Sequence, residues 1–178
     1  MGSFATRNHK KVYKMDIIKE LLTELESEAV ITRKMLTLVP ENRFDWAPHP
    51  KSMTLKQLAT HLAEIPSWFT LAVDQDVLDF NEGSYQPTPI GSSADLLALF
   101  EKSYRTGKSA LERLPETLLD KPWVMRGGET VYLDTTKYGM VRHAFSQTIH
   151  HRAQLGVFLR LLDIPIPGSY GPSADEMG

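Results

Sequence analysis

Apolar residues recur at helical spacing in four long stretches of this chain, and this periodicity restricts the fold more than any other feature of the sequence. Pro40 and Pro115 end the first and third stretches, and Pro66 is expected to kink the second. Four long amphipathic segments with one long connection predict an all-α fold, a four-helix bundle. The stretches are residues 15–39, 52–75, 92–114 and 135–163.

The segments outside these stretches suggest a small β element and two appendages. Residues 120–133 contain short β-prone runs around Gly127 and Gly128, so the sequence allows a small β-hairpin before the last long helix. Three prolines in residues 164–178 favour an extended path over the surface. We therefore divide the chain into a basic N-terminal extension (1–14), the bundle (15–163) and a Pro/Gly-rich C-terminal tail (164–178).

Composition and charge exclude several classes of protein. The 178 residues suit one domain, and a net charge of -2 gives no electrostatic case for nucleic acid or a membrane as partner. No apolar run approaches the roughly 18 residues of a membrane-spanning helix, and the basic N-terminus lacks the apolar core of a signal peptide. These features predict a cytoplasmic protein.

The absence of cysteine narrows the chemistry that the chain can perform. It rules out structural disulfides, a thiolate zinc site and a catalytic cysteine of the protein's own. A metal would have to be bound by His, Asp, Glu, Asn or Gln side chains. The arrangement of the six histidines is therefore the most informative remaining feature.

The last helix carries polar residues in the middle of the seam predicted to face the core. Gln147 and His151 are four residues apart, which places them roughly 40° apart on one helix face. His150 points about 100° away from His151, and His143 lies about 80° from it, so both are weaker candidates for ligands. The predicted seam comprises Met140, Ala144, Gln147, His151, Gln154, Phe158 and Leu161.

The second helix offers a third candidate. His61 lies beside the predicted core stripe of Leu55, Leu58, Leu62, Ile65 and Phe69, where it could face Gln147 and His151. A single histidine beside an apolar face is more often a core residue with one hydrogen-bond partner than a metal ligand. Gln147 and Gln154 on one seam favour a polar network or an ion, since buried polar groups cost free energy unless they are satisfied. Both interpretations remain open on spacing alone.

Three other positions have two possible roles. Glu64 could be a base or a partner of His61, although a solvated helix carboxylate is the commoner case. Arg152 could hold a substrate anion, and we favour a structural ion pair. Trp68, Phe69 and Phe158 could line a pocket mouth, but aromatic residues at helical spacing usually belong to the core.

Two stretches carry a resemblance to a known family. The sequence LKQLATHLAEIPSW in the second helix and QTIHHRAQLGVFLRLLDIPIP downstream resemble the DinB-like superfamily, which includes metal-dependent hydrolases and low-molecular-weight-thiol transferases. The resemblance spans nearly the whole domain. It implies a DinB/YfiT-like four-helix bundle, commonly a homodimer, that binds a divalent metal, zinc or nickel, through three residues.

The resemblance also implies the ligands. The family's helix-two His falls on His61, the second His of the His-His-Arg motif falls on His151, and the third ligand falls on Gln147. Gln147 departs from the family pattern, which has His or Glu there, and a neutral amide is a weaker donor to a divalent cation. The implied function is hydrolysis or thiol transfer by metal-bound water or thiolate on a small-molecule substrate. The alternative is a noncatalytic bundle with a degenerate metal site, acting as a binding or stress-response protein.

Overall fold

A computed structural model of the chain describes residues 15–83 and 86–177. The N-terminal extension inferred at residues 1–14 lies outside the described residues. The first, third and fourth long helices are α1 (Ile17–Leu36), α4 (Ser93–Arg113) and α5 (Lys137–Leu161), and the second is divided into α2 (Leu55–Glu64) and α3 (Phe69–Asp74). No helix in the described part of the chain combines the length and hydropathy needed to cross a bilayer.

Polar side chains fix where the helices begin. Asp16 accepts a hydrogen bond from the Lys19 backbone N–H at the start of α1. Thr54 and Gln57 form a reciprocal capping box at the start of α2, in which each side chain accepts from the other residue's backbone N–H. The helix starts predicted from the sequence are thus placed by their caps. Ser92 and Thr136 cap α4 and α5 in the same way as Asp16.

Pro66 interrupts the second helix, as its position predicts. A 3₁₀ turn, Ile65–Trp68, separates α2 from α3, because proline lacks the N–H that an α-helix interior requires. Gly107 of α4 lies against this turn, and a Cβ on it would be 2.0 Å from the Pro66 carbonyl oxygen. The close approach of α4 therefore depends on a glycine at this position.

A small sheet stands beside the helices, and the all-α assignment is to that extent wrong. Strand β2 (Pro122–Gly127) pairs antiparallel with β3 (Thr130–Thr136), which confirms the predicted hairpin. Gly128 turns the chain between them with φ of 58°, a conformation that glycine adopts without strain. A third strand, β1 (Val77–Asp79), pairs parallel with β2, and the sequence did not predict it.

Two buried side chains attach the sheet to the helices. Trp123 of β2 is fully buried and donates from its indole N–H to the Leu71 carbonyl of α3 at 3.0 Å. Lys137, the first residue of α5, is 2% exposed and donates to the carbonyls of Ala72 at 2.7 Å and Gln75 at 2.8 Å. A buried lysine is tolerated there because these carbonyls and a carboxylate satisfy its charge. These contacts fix the junction between α3 and β1.

The core-facing side of α5 differs from the predicted seam in its second half. Met140 and Ala144 are buried as expected, but Gln154 is exposed and Leu161 is 58% exposed. In this half the helix buries Thr148, Arg152, Leu155 and Leu159 instead. The predicted seam was wrong there because a polar residue, Arg152, occupies a core position that the apolar pattern assigned to the surface.

The C-terminal tail has no helix or strand in residues 162–177, and polar contacts hold it against α5. Asp175 accepts two hydrogen bonds from the Arg160 guanidinium, at 2.6 and 2.8 Å, and one from the Ile166 backbone N–H. The Tyr170 hydroxyl accepts a hydrogen bond from Arg152 at 2.8 Å. The tail was expected to take an extended path, whereas turns and bends interrupt it, and specific contacts fasten it to α5.

Candidate metal centre

His61 of α2 and His151 of α5 lie in direct contact. Their ring centroids are 4.6 Å apart at an interplanar angle of 83°, and both side chains are half-buried. Trp68, in the 3₁₀ turn, packs edge-on against His61 with centroids 5.3 Å apart. The packing of α2 on α5 therefore brings together two histidines that are far apart in the sequence.

Gln154 orients the ring of His151. Its amide oxygen lies 2.8 Å from His151 Nδ1, so Nδ1 carries the proton and donates to it. The lone pair of His151 then resides on Nε2. A hydrogen bond that fixes the tautomer of a histidine in this way is the usual support of a metal-binding imidazole.

Burial keeps both rings neutral. It lowers the pKa of His61, and the nearby His151 lowers it further. Burial also lowers the pKa of His151, against the opposing effect of the hydrogen bond to Gln154, and His150 adds to the decrease. A neutral imidazole is the form that binds a metal ion.

Gln147 and His61 both line a cavity of about 850 Å³, which we call the large cavity. His143, one helical turn before Gln147, lines the same cavity, and burial lowers its pKa as well. His151 is not among the residues that line this cavity. Of the three predicted ligands, His61 thus contacts His151 and shares a cavity with Gln147.

These side chains form an incomplete donor set by the usual standards of metal proteins. Among residues 15–83 and 86–177, no three His, Asp or Glu side chains converge as a metal site would require. Two neutral imidazoles in contact, one of them oriented by Gln154, are nevertheless the donors that zinc and nickel prefer. His61 and His151 are thus donors suited to a divalent cation of this type, and the Gln147 amide is the weakest of the three predicted donors.

Glu64 is buried, and the expectation of a solvated carboxylate is wrong. Its side chain lines the large cavity, and the residue is 8% exposed. Oε1 accepts hydrogen bonds from the Thr88 backbone N–H at 2.9 Å and the Thr88 hydroxyl at 2.7 Å. Thr88 belongs to the loop that follows the sheet's first strand, so these bonds join that loop to the end of α2.

Thr88 lines a second cavity, of about 500 Å³, which we call the small cavity. His61 also lines it, together with Lys56 and Met53. His61 therefore borders both cavities, and the hydrogen bonds of Glu64 to Thr88 join a residue of one lining to a residue of the other.

Part of the large cavity's wall was not identified from the sequence. Leu78 and Phe80 come from β1 and the residue after it, and Met125 comes from β2. The apolar runs around these residues are too short to show a face, and the parallel pairing of β1 with β2 bridges residues far apart in the chain. Of the aromatic residues considered, Trp68 lines this cavity, Phe69 is core, and Phe158 packs against Trp46.

Arg152 has the structural role predicted for it. It is 2% exposed and forms an ion pair with Glu28 at 2.5 Å. It also donates to the Thr32 hydroxyl at 3.1 Å. The Tyr170 hydroxyl bridges the pair by donating to Glu28 at 2.8 Å. The neighbouring His150 is exposed, in agreement with its predicted place outside the ligand set.

Solved structures share this fold. A DinB-like protein from Bacillus subtilis is 17% identical, with a TM-score of 0.66, and the match covers 84% of this chain and 96% of that one. A DinB-like protein from Bacillus cereus is also 17% identical, with a TM-score of 0.66 and coverages of 86% and 97%. A protein assigned to the DinB family from Exiguobacterium sibiricum is 20% identical, with a TM-score of 0.66 and coverages of 88% and 98%. At these identities the likeness concerns the fold alone.

A match to a family model, rather than the structural likeness, identifies the family of this chain. No curated protein matches the sequence. The model of the DinB family matches residues 8–177, which include all the described helices, the sheet and the C-terminal tail. The chain belongs to the DinB family.

Proposed function

We propose that the protein is a divalent-metal-dependent enzyme that hydrolyses a small molecule or transfers a low-molecular-weight thiol to it. His61, Gln147 and His151 would hold the ion, zinc or nickel. One observation carries the proposal: two neutral histidines from different helices are in contact beside a cavity of about 850 Å³. A concave, largely apolar site with a few convergent polar groups is the usual form of a small-molecule site.

The ligands differ in what they contribute. His61 and His151 supply neutral nitrogen donors, and Gln154 keeps His151 in the tautomer that leaves Nε2 available. Gln147 supplies a neutral amide oxygen, so the three side chains together carry no negative charge. When bound, a divalent cation would supply Lewis acidity that lowers the pKa of water or a thiol toward the neutral range.

Glu64 is placed to handle a proton in this site. Its carboxylate lines the large cavity one helical turn after His61, and Thr88 orients Oε1. A carboxylate held in this way can accept a proton from a nucleophile that enters the cavity. Glu64 is therefore our candidate for the general base.

The proposal includes a cytoplasmic homodimer. Val157 and Leu161, four residues apart on one face of α5, are 59% and 58% exposed. Large apolar side chains that stand together on a helix surface support contact with another protein surface. A second copy of the chain is the partner that the proposal assigns to this face.

Elemental analysis of protein purified without a metal-affinity step tests the proposal. We expect a stoichiometric metal that is lost in His61→Ala and in His151→Ala and retained in His49→Ala, the control at an exposed histidine outside the site. A folded, metal-free protein whose melting temperature is unchanged by a chelator would overturn the proposal. That outcome would favour the noncatalytic alternative, a binding or stress-response bundle, which the lack of a third His, Asp or Glu among the described residues supports.

A further inference from the structure

The large cavity has the volume and the apolar lining of a site that binds an organic molecule. Its volume of about 850 Å³ falls within the range of roughly 300–1,000 Å³ that is usual for ligand pockets. Apolar side chains from the turn after α2, from α3 and from the sheet form a continuous part of its lining. They are Trp68, Leu71, Val77, Leu78, Phe80 and Met125.

The charged residues of the lining are all acidic. Glu64, Asp79 and Glu82 line the large cavity, and no Lys or Arg is among the described residues that do so. Asp79 pairs with Arg126 at 3.0 Å and accepts hydrogen bonds from two backbone N–H groups, so the guanidinium compensates much of its charge and Glu64 and Glu82 are the remaining carboxylates. Glu82 lies on the exposed loop after β1.

His61 and His143 are the other titratable side chains of the lining besides these carboxylates. The small cavity differs, because Lys56 belongs to its lining. The two spaces that border His61 therefore have different charge environments.

We propose that the large cavity of the metal-free protein binds a molecule with an apolar body and a neutral or cationic head, and that without a metal it discriminates against carboxylates. The apolar wall removes the body from water, and the acidic residues repel an anion. Trp68 offers an aromatic face that attracts a cation further. The position of the reactive end, at His61 and Gln147, rests on the proposed function, but binding of the body requires only the cavity walls.

Methionines provide a reporter in each cavity. Met125 lines the large cavity and Met53 the small one, so isotope-labelled methionine methyl groups distinguish the two by NMR. Met125→Leu and Met53→Leu assign the two signals. The probes are benzylamine, benzyl alcohol and benzoate, which share a ring and differ in charge. Titrations are made on the full-length protein as purified and again after treatment with a chelator.

In the chelator-treated protein we expect benzylamine and benzyl alcohol to shift the Met125 signal, with dissociation constants about fivefold or more below that of benzoate, since a charge contact near a protein surface is worth roughly 1 kcal/mol or more. Equal affinity for benzoate at Met125 would overturn the proposal. So would a Met125 signal that none of the three probes shifts.

Variants test the origin of the preference. Glu82→Gln should reduce the ratio of benzylamine to benzoate affinity, and Glu129→Gln, in the exposed turn between β2 and β3 outside the cavity, should leave it unchanged. Leu78→Lys, which adds a cation to the wall, should reverse the preference toward benzoate. Ratios that are the same in all three variants would overturn the role of charge.

His151→Ala separates this proposal from the proposed function. His151 does not line the large cavity, so the variant should still bind benzylamine at Met125 after the metal is lost. Metal binding without probe binding would refute ligand binding by the large cavity and leave the proposed function intact. Probe binding in a protein that never holds metal would refute the metal site and support ligand binding by the large cavity.

Discussion

The imidazole rings of His61 and His151 meet edge to face with their centroids 4.6 Å apart. Two protonated imidazoles this close would repel each other, and burial adds to the cost of charging either ring. The pair is therefore held neutral and oriented before any ligand arrives. Because the two rings are already ordered, binding of an ion to them would cost less side-chain entropy. This saving matters most where two imidazoles are the strong donors.

Replacing Gln147 by histidine should strengthen metal binding. The imidazole is a better donor to zinc or nickel than the neutral amide, and position 147 lines the cavity that His61 borders. Competition with a chromophoric chelator measures the affinity of Gln147→His against that of the natural chain. Unchanged affinity would show that position 147 lies outside the set of ligands.

Gln154→Leu should weaken metal binding without removing a ligand. The substitution takes away the oxygen that accepts the hydrogen bond from His151 Nδ1, and loss of such a support typically costs about 10–100-fold in metal affinity. Gln154 is exposed, so the fold should be unaffected. Isothermal titration with zinc compares it with the natural chain and with His49→Ala, the control at an exposed histidine outside the site. Equal affinities would refute the role of Gln154.

Glu28→Leu should destabilise the protein by about 3–5 kcal/mol, because it leaves the guanidinium of Arg152 buried without its carboxylate. The double variant Glu28→Leu, Arg152→Met removes both charges and should recover much of the loss. Urea unfolding followed by circular dichroism measures both. A double variant less stable than Glu28→Leu would indicate that Arg152 has other essential partners.

The C-terminal tail should detach in acid. Hydrogen bonds from Arg160 and from the Ile166 backbone N–H lower the pKa of Asp175 to about 2. A carboxylate with a lowered pKa stabilises the folded state fully above its ordinary pKa of 3.8, and this contribution is lost as the pH falls toward 2. Melting temperatures between pH 5 and pH 2 should therefore fall less steeply in Asp175→Asn than in the natural chain. Parallel curves would contradict this assignment.

The sequence predicted the helices well because local side chains determine their ends. Thr54 caps α2 through Gln57, and Pro66 breaks the helix where it removes an N–H. The sheet was predicted only in part. The hairpin has its turn at Gly128, whereas β1 has three residues and gains its pairing from β2, which lies far along the chain. Non-local pairing leaves no periodic signal in so short a strand.

Part of the candidate site was predictable for the same reason. The position of His61 next to the core follows from its place beside the apolar stripe of α2. The placement of Gln147 and His151 on one face of α5 follows from their spacing of four residues. The core face of α5 near Arg152 could not be predicted, because that residue is buried by virtue of Glu28 on another helix and Tyr170 in the tail. Burial of a charge depends on partners that only the fold brings together.

His61 borders both the large cavity and the small one, so a molecule in either cavity lies against the same imidazole. If the protein takes a substrate into the large cavity, as proposed, a ligand in the small cavity would act on the reaction through His61 without occupying the place of the substrate. Such a ligand would lower the maximal velocity and leave substrate affinity unchanged. Inhibition patterns of this noncompetitive kind would be the kinetic consequence of a single side chain that serves as a shared wall.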